Sequence, residues 1–139
     1  MQYERVAHLQ MIQGVISRMA QNSFAIKNWL VILLSALIAI AAKEKSREIL
    51  EAALFPTLLL WGLDGYYLRQ ERLFRKLYEW VCSAGEAALR RQPYTMNTKS
   101  FIGNVKSWFR TCFSVTVWPL YFPGLFLLLG AICWMKCSG

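Results

Sequence analysis

Hydrophobic and polar positions alternate between two regimes along this chain. Residues 3–26 set Val6, Leu9, Ile12, Ile16 and Met19 at three- and four-residue spacing, with Val15 beside them. That spacing draws one apolar stripe along a helix, while Glu4, Gln13, Ser17 and Gln21 fall largely elsewhere. Residues 28–42 then form an uncharged apolar run between Lys27 and Lys43. A second apolar run covers 49–67, with Pro56 near its start and Asp64 near its end. Residues 68–91 return to the amphipathic pattern, with Leu73, Leu77, Val81, Ala84 and Ala88 on one stripe and Phe74 and Tyr78 alongside.

After a break at 92–100, rich in Thr, Asn and Ser and containing Pro93, residues 101–113 place Phe101, Val105, Trp108, Phe109 and Cys112 on one side of a short helix. Lys99, Lys106 and Arg110 flank it, a pattern suited to lying on an anionic membrane face. The third apolar run, 114–135, is bent at its start by Pro119 and Pro123.

These patterns predict an all-α membrane protein. Residues 1–27 form a cytoplasmic amphipathic helix, 28–42 a first span, 49–67 a second, 68–91 a cytoplasmic helix, 101–113 an interfacial helix and 114–135 a third span. A bilayer core of about 30 Å asks for about 20 apolar residues. The fifteen of the first span reach only about 22 Å, so Lys27 and Lys43 are expected to snorkel outward. The short polar link at 43–48 predicts a tight hairpin of the first two spans, and Pro56 a kink. A basic flank, an apolar run and Ala39-Ile-Ala41 also resemble a signal peptide; the long, polar, periodic leading segment argues against that.

Charge sharpens the topology. Of the sixteen Lys and Arg, twelve lie in 1–27 and 68–110, and four in 43–48 and the tail after 135. With three spans the first set shares one side, the cytoplasm by the positive-inside rule, which places the N-terminus there in a bacterial inner membrane. The formal net charge of +8 is then a matter of topology. Nucleic acid is disfavoured as a partner, because the aromatics near the basic residues fall on apolar helix stripes rather than on a stacking platform.

Candidate chemistry is sparse. A single histidine, His8, and four cysteines without CxxC spacing leave no metal-ligand pattern. Phosphate-binding loops, dinucleotide fingerprints and a nucleophile elbow are absent, so neither a cofactor nor an enzyme is predicted. Asp64 is the informative residue, since a carboxylate at a span must face water, protein or a cation. Arg69 or Arg72, a neighbouring subunit, or a nearby Tyr or Trp are its expected partners, and Gly62 and Gly65 would permit close backbone approach beside it. Arg18, Asn22, Asp64 and Arg69 are the candidates for a polar cluster or pore lining. Arg72, Arg75, Lys76, Lys106, Trp108 and Arg110 are the candidates for contact with the membrane surface or a partner.

The runs Met11-Ile-Gln-Gly-Val-Ile-Ser-Arg-Met-Ala-Gln-Asn-Ser-Phe24, with Lys27 and Trp29, and Trp61-Gly-Leu-Asp-Gly-Tyr-Tyr-Leu-Arg-Gln-Glu-Arg-Leu-Phe-Arg-Lys-Leu-Tyr78 resemble a family of small bacterial multi-pass membrane proteins. The family's layout is similar to that of membrane effectors and accessory proteins of antiphage systems. The resemblance implies a homo-oligomer in the lipid bilayer that forms a pore or perturbs the membrane. The alternative is an anchor that recruits a cytosolic protein.

Overall fold

In a computed structural model, describing residues 2–138, every regular element is helical. Helix α1 (Gln2–Glu44) and helix α2 (Arg47–Ser83) form a long antiparallel hairpin. Short α3 (Glu86–Arg91), a 3-10 turn (Lys99–Asn104) and short α4 (Trp108–Cys112) lead to α5 (Trp118–Ser138).

The amphipathic segment and the first apolar run are therefore one rod, and so are the second apolar run and most of the segment after it. Forty-three residues extend about 64 Å and thirty-seven about 55 Å. The backbone gives no reason to stop between regimes: its i→i−4 bonds are internal and the same in water and in lipid. The amphipathic pattern expected to 91 breaks earlier, where Ala84 turns extended and α3 restarts at Glu86.

The hairpin turn is tighter than the expected link at 43–48. Lys43, Glu44, Arg47 and Glu48 are helical, leaving only Lys45 and Ser46 between the rods. Lys45 takes a left-handed conformation, φ 51°, and the Ser46 N–H donates to the Ala41 carbonyl at 3.2 Å. That bond satisfies a carbonyl the helix end would otherwise orphan.

Two apolar clusters hold the helices together. The distal one joins Ile12 and Ile16 of α1 to Leu77 and Val81 of α2, with Phe74, Trp80, Leu89, Met96 and Phe101 against it. The other joins Leu30 and Leu34 to Ala53, Leu68, Val117, Tyr121 and Leu128, and brings α5 onto the hairpin.

The helix expected over 101–113 is divided, because its stripe serves two distant places. Phe101 packs near Trp80, while Trp108 lies against Gly62. Those two positions on α2 are about 27 Å apart, whereas Phe101 to Trp108 as a helix would cover only about 10 Å. Extended backbone at Val105 and Ser107 supplies extra reach.

Two helices, over Tyr3–Glu44 and Trp118–Cys137, are long and apolar enough to cross a membrane. Their apolar stretches are mostly uncovered: Trp29 is 66% exposed, Phe126 76% and Trp134 76%. The core helix of a soluble domain would bury such side chains. The first half of α2 runs beside α1, continues through Pro56 and carries exposed Phe55, Leu58, Leu59 and Leu63 on its outer side.

Helix α4 crosses α2 where glycine lets it come close. A Cβ on Gly65 would stand 2.3 Å from Cys112 Sγ, and one on Gly62 would meet the Trp108 ring at 3.4 Å. Gly65→Ala is therefore expected to lower stability in detergent by about 1–3 kcal/mol through overpacking. In a Cys112→Ala background the sulfur is gone, and the same change should cost little or gain up to about 1 kcal/mol of helix propensity. Thermal unfolding of the four variants in that cycle checks the coupling.

Candidate functional site

The stripe that buries Ile12 and Ile16 runs on along α1 to Leu30 and Leu34. Between those pairs, at helical spacing, lie Ser23 and Lys27. They face Asp64 of α2, which is fully buried. Lys27 Nζ donates to Asp64 Oδ1 at 2.7 Å and to Ser23 Oγ at 2.8 Å. It also stands 2.6 Å from Oδ2, close enough for an ion pair but not angled for a hydrogen bond. The Ser23 hydroxyl donates a short bond to Oδ1.

Aromatic side chains close the surroundings. Tyr121, buried on α5, donates from its hydroxyl to the Leu60 carbonyl at 3.3 Å. Its ring stacks on Trp61, with centroids 6.3 Å apart, and Phe113 meets Trp61 edge-on at 5.1 Å. Trp61 Nε1 donates to the Cys112 carbonyl at 3.0 Å, and Trp108 Nε1 to the Gly62 carbonyl at 3.1 Å. Burial pushes the Cys112 thiol above its ordinary range, and the Asp64 charge pushes it further.

The pair is asymmetric. The Asp64 side chain is 0% exposed and that of Lys27 is 21% exposed. Taking both charges from water costs several kcal/mol each, offset only by their attraction and by satisfied hydrogen bonds. The arrangement can hold the two helices in register, or release a carboxylate if Lys27 leaves. Among the described residues no three His, Cys, Asp or Glu come together to hold a metal.

Several sequence expectations change here. Asp64 pairs with Lys27 and Ser23, not with Arg69 or Arg72, so Lys27 points inward rather than snorkelling. Arg18 and Asn22 are exposed and do not join the cluster. They share a face of α1, but each residue turns the helix by about 100°, and that face is one residue out of step with Ser23 and Lys27. Arg72 donates to Ser114 Oγ at 3.0 Å, tying α2 to the start of the last apolar run. Arg75 pairs with Glu71 one turn earlier on α2 at 2.7 Å, and Lys76 with Glu79 at 2.7 Å. Arg69 is half-buried, and its Nε is enclosed without an acceptor. Lys106 and Arg110 are exposed beside Phe109 and Phe113, while Trp108 is the hydrogen-bonded anchor described above.

Sequence reasoning missed Ser23, Lys27 and Tyr121 as members of the site. It also left His8 on a polar stretch. His8 is buried, lies 2.9 Å through Nε2 from the Thr95 carbonyl and tilts against Tyr94. Beside it opens a cleft of about 500 Å³ lined by Arg5, Arg90, Glu4, Glu86 and Tyr94. Comparison with known proteins brought no match to a family model, a curated protein or a solved structure.

Lys27→Met leaves Asp64 buried without its cation and should destabilise the hairpin by about 3–5 kcal/mol. Lys27→Met with Asp64→Leu removes both charges and should recover most of that loss. Thermal unfolding in detergent of both single variants and the double measures the difference; a double-variant loss equal to the sum of the single losses would mean the pair is not coupled.

Proposed function

We propose that this chain is a bacterial inner-membrane effector that works as a homo-oligomer and opens a pore or otherwise perturbs the bilayer. Three membrane crossings serve this reading: α1 from about Asn28, the first half of α2, and α5. The N-terminus and the basic segment 68–110 then lie in the cytoplasm. The observation that carries the proposal is the enclosed Lys27–Asp64 pair within helices whose outer faces are apolar. A charge at a span is costly, which makes it a candidate for a polar path or a switch. With Lys27 as the reachable member, a shift of α1 that draws it outward leaves Asp64 uncompensated and invites water between the helices. A chain of 16.1 kDa offers too few helices to enclose a channel alone, so the path forms between copies. The antiphage setting draws on the sequence resemblance.

A second reading has its own observation. The cleft beside His8 lies at the cytoplasmic end of the hairpin in this topology, and its mixed charges suit a docked protein segment. An anchor or adaptor would use it to recruit a cytosolic partner without any pore.

The full chain in liposomes should release trapped ions or dye, and Asp64→Asn should change that release severalfold while insertion is unchanged. Silence under every trigger, with only monomers in native mass spectrometry, would exclude the effector reading and favour the anchor. Topology has a separate check. Cys82 and Cys137 are both exposed. Single-cysteine versions of each, treated on intact cells with a membrane-impermeant maleimide, should show Cys82 protected and Cys137 labelled. Labelling of Cys82 from outside would overturn the three-span arrangement.

A further inference from the structure

We infer that the segment from Lys106 to Phe113 binds the phosphate of an anionic phospholipid in the inner leaflet, an inference that rests on the membrane reading above. A cleft of about 540 Å³ is lined there by Lys106, Phe109, Arg110 and Phe113. Two cations and two aromatic rings form it, and no acid does. Neither cation is in an ion pair among the described residues, whereas Arg75 and Lys76 on α2 each have a carboxylate. The rings face outward, Phe109 69% and Phe113 59% exposed. Phe109 is braced edge-on by Trp108, with centroids 4.8 Å apart.

The depth of this segment is set by its bonds. The Trp108 bond to Gly62 and the Trp61 bond to Cys112 fix it beside Asp64, where α2 leaves the apolar regime. Exposed Val115 and Trp118 follow at once and lead into α5. The cations thus stand at headgroup level and the rings at the edge of the acyl chains, the arrangement of an interfacial anchor.

Arg69 shares a face of α2 with Trp61, Gly65 and Arg72, the residues that carry this segment, and its enclosed Nε has no acceptor among the described residues. A buried donor without an acceptor is costly, and phosphate oxygens are strong acceptors for arginine. The chemistry also selects the headgroup. No carboxylate lines the cleft, and its two cations oppose the choline or ethanolamine ammonium that the rings alone would attract. A net-negative lipid such as phosphatidylglycerol matches the site. Nucleic acid does not, because the two rings at the edge of the acyl chains lie out of reach of its bases.

Native mass spectrometry of the full chain in detergent tests this. The probes are phosphatidylglycerol, phosphatidylcholine of the same acyl chains, and inorganic phosphate. Phosphatidylglycerol adducts should exceed phosphatidylcholine adducts by about tenfold or more. The preference should fall about fivefold for each cation removed in Lys106→Gln and Arg110→Gln, and persist in Lys106→Arg with Arg110→Lys. Lys45→Gln with Lys136→Gln, an equal charge change at the opposite leaflet, should leave it intact. Equal uptake of the two lipids, or an unchanged preference in the Gln variants, overturns the site. Displacement of lipid by equimolar phosphate overturns the lipid assignment in favour of a soluble anion. Carbonate washing of cell membranes keeps the two readings apart. Release of the chain would sink the membrane reading itself, whereas retention without lipid preference sinks only the site.

Discussion

An ammonium and a carboxylate enclosed between two helices set the terms for the rest of this fold. Apolar stripes alone specify register weakly, because leucines and alanines can exchange partners when one helix slides along another. The Lys27–Asp64 contact favours one register. A slide by one turn, about 5.4 Å, would disturb the paired geometry, and an unpaired buried charge costs several kcal/mol. Ser23 tightens the constraint by occupying the same carboxylate oxygen. Antiparallel direction, register and the rotation of both rods therefore meet at one site.

The C-terminal third is arranged around the same place. Gly62 and Gly65 leave space on α2, and α4 settles there through Trp108 and Cys112. The two indole bonds run in opposite senses, one from α2 to α4 and one from α4 to α2. Such reciprocal bonds limit rotation as well as separation. Tyr121 then carries the beginning of α5 to the Leu60 carbonyl, so α1, α2, α4 and α5 all contribute to the surroundings of a single carboxylate or its neighbours.

Much of this was legible in the sequence, for a definite reason. Helix periodicity is local, and Ile12, Ile16, Leu77 and Val81 announce their faces through spacing alone. Asp64 was recognisable because a charge in an apolar run needs an explanation, and the glycines beside it indicated close packing. The partner of Asp64 was harder, since it depends on the register between two rods and on nothing local. A signal did exist: Ser23 and Lys27 continue the stripe of Ile12 and Ile16 into Leu30 and Leu34, which places a lysine on the inward side. Reading Lys27 as the edge of a span hid that. The division of residues 101–113 was not legible either, because the distance between Trp80 and Gly62 appears only once α2 is known to be straight enough to hold both.

The two long helices have no joint where the apolar regime ends. A helix broken there would let the distal part swing independently of the apolar part. Here α1 continues from His8 through Lys27 to Glu44, and α2 returns the whole way. A torque applied near His8 is delivered to Lys27 with little loss, as along a rigid shaft. The hairpin can thus act as a mechanical relay, with its handle at one end and its most expensive contact partway down the shank.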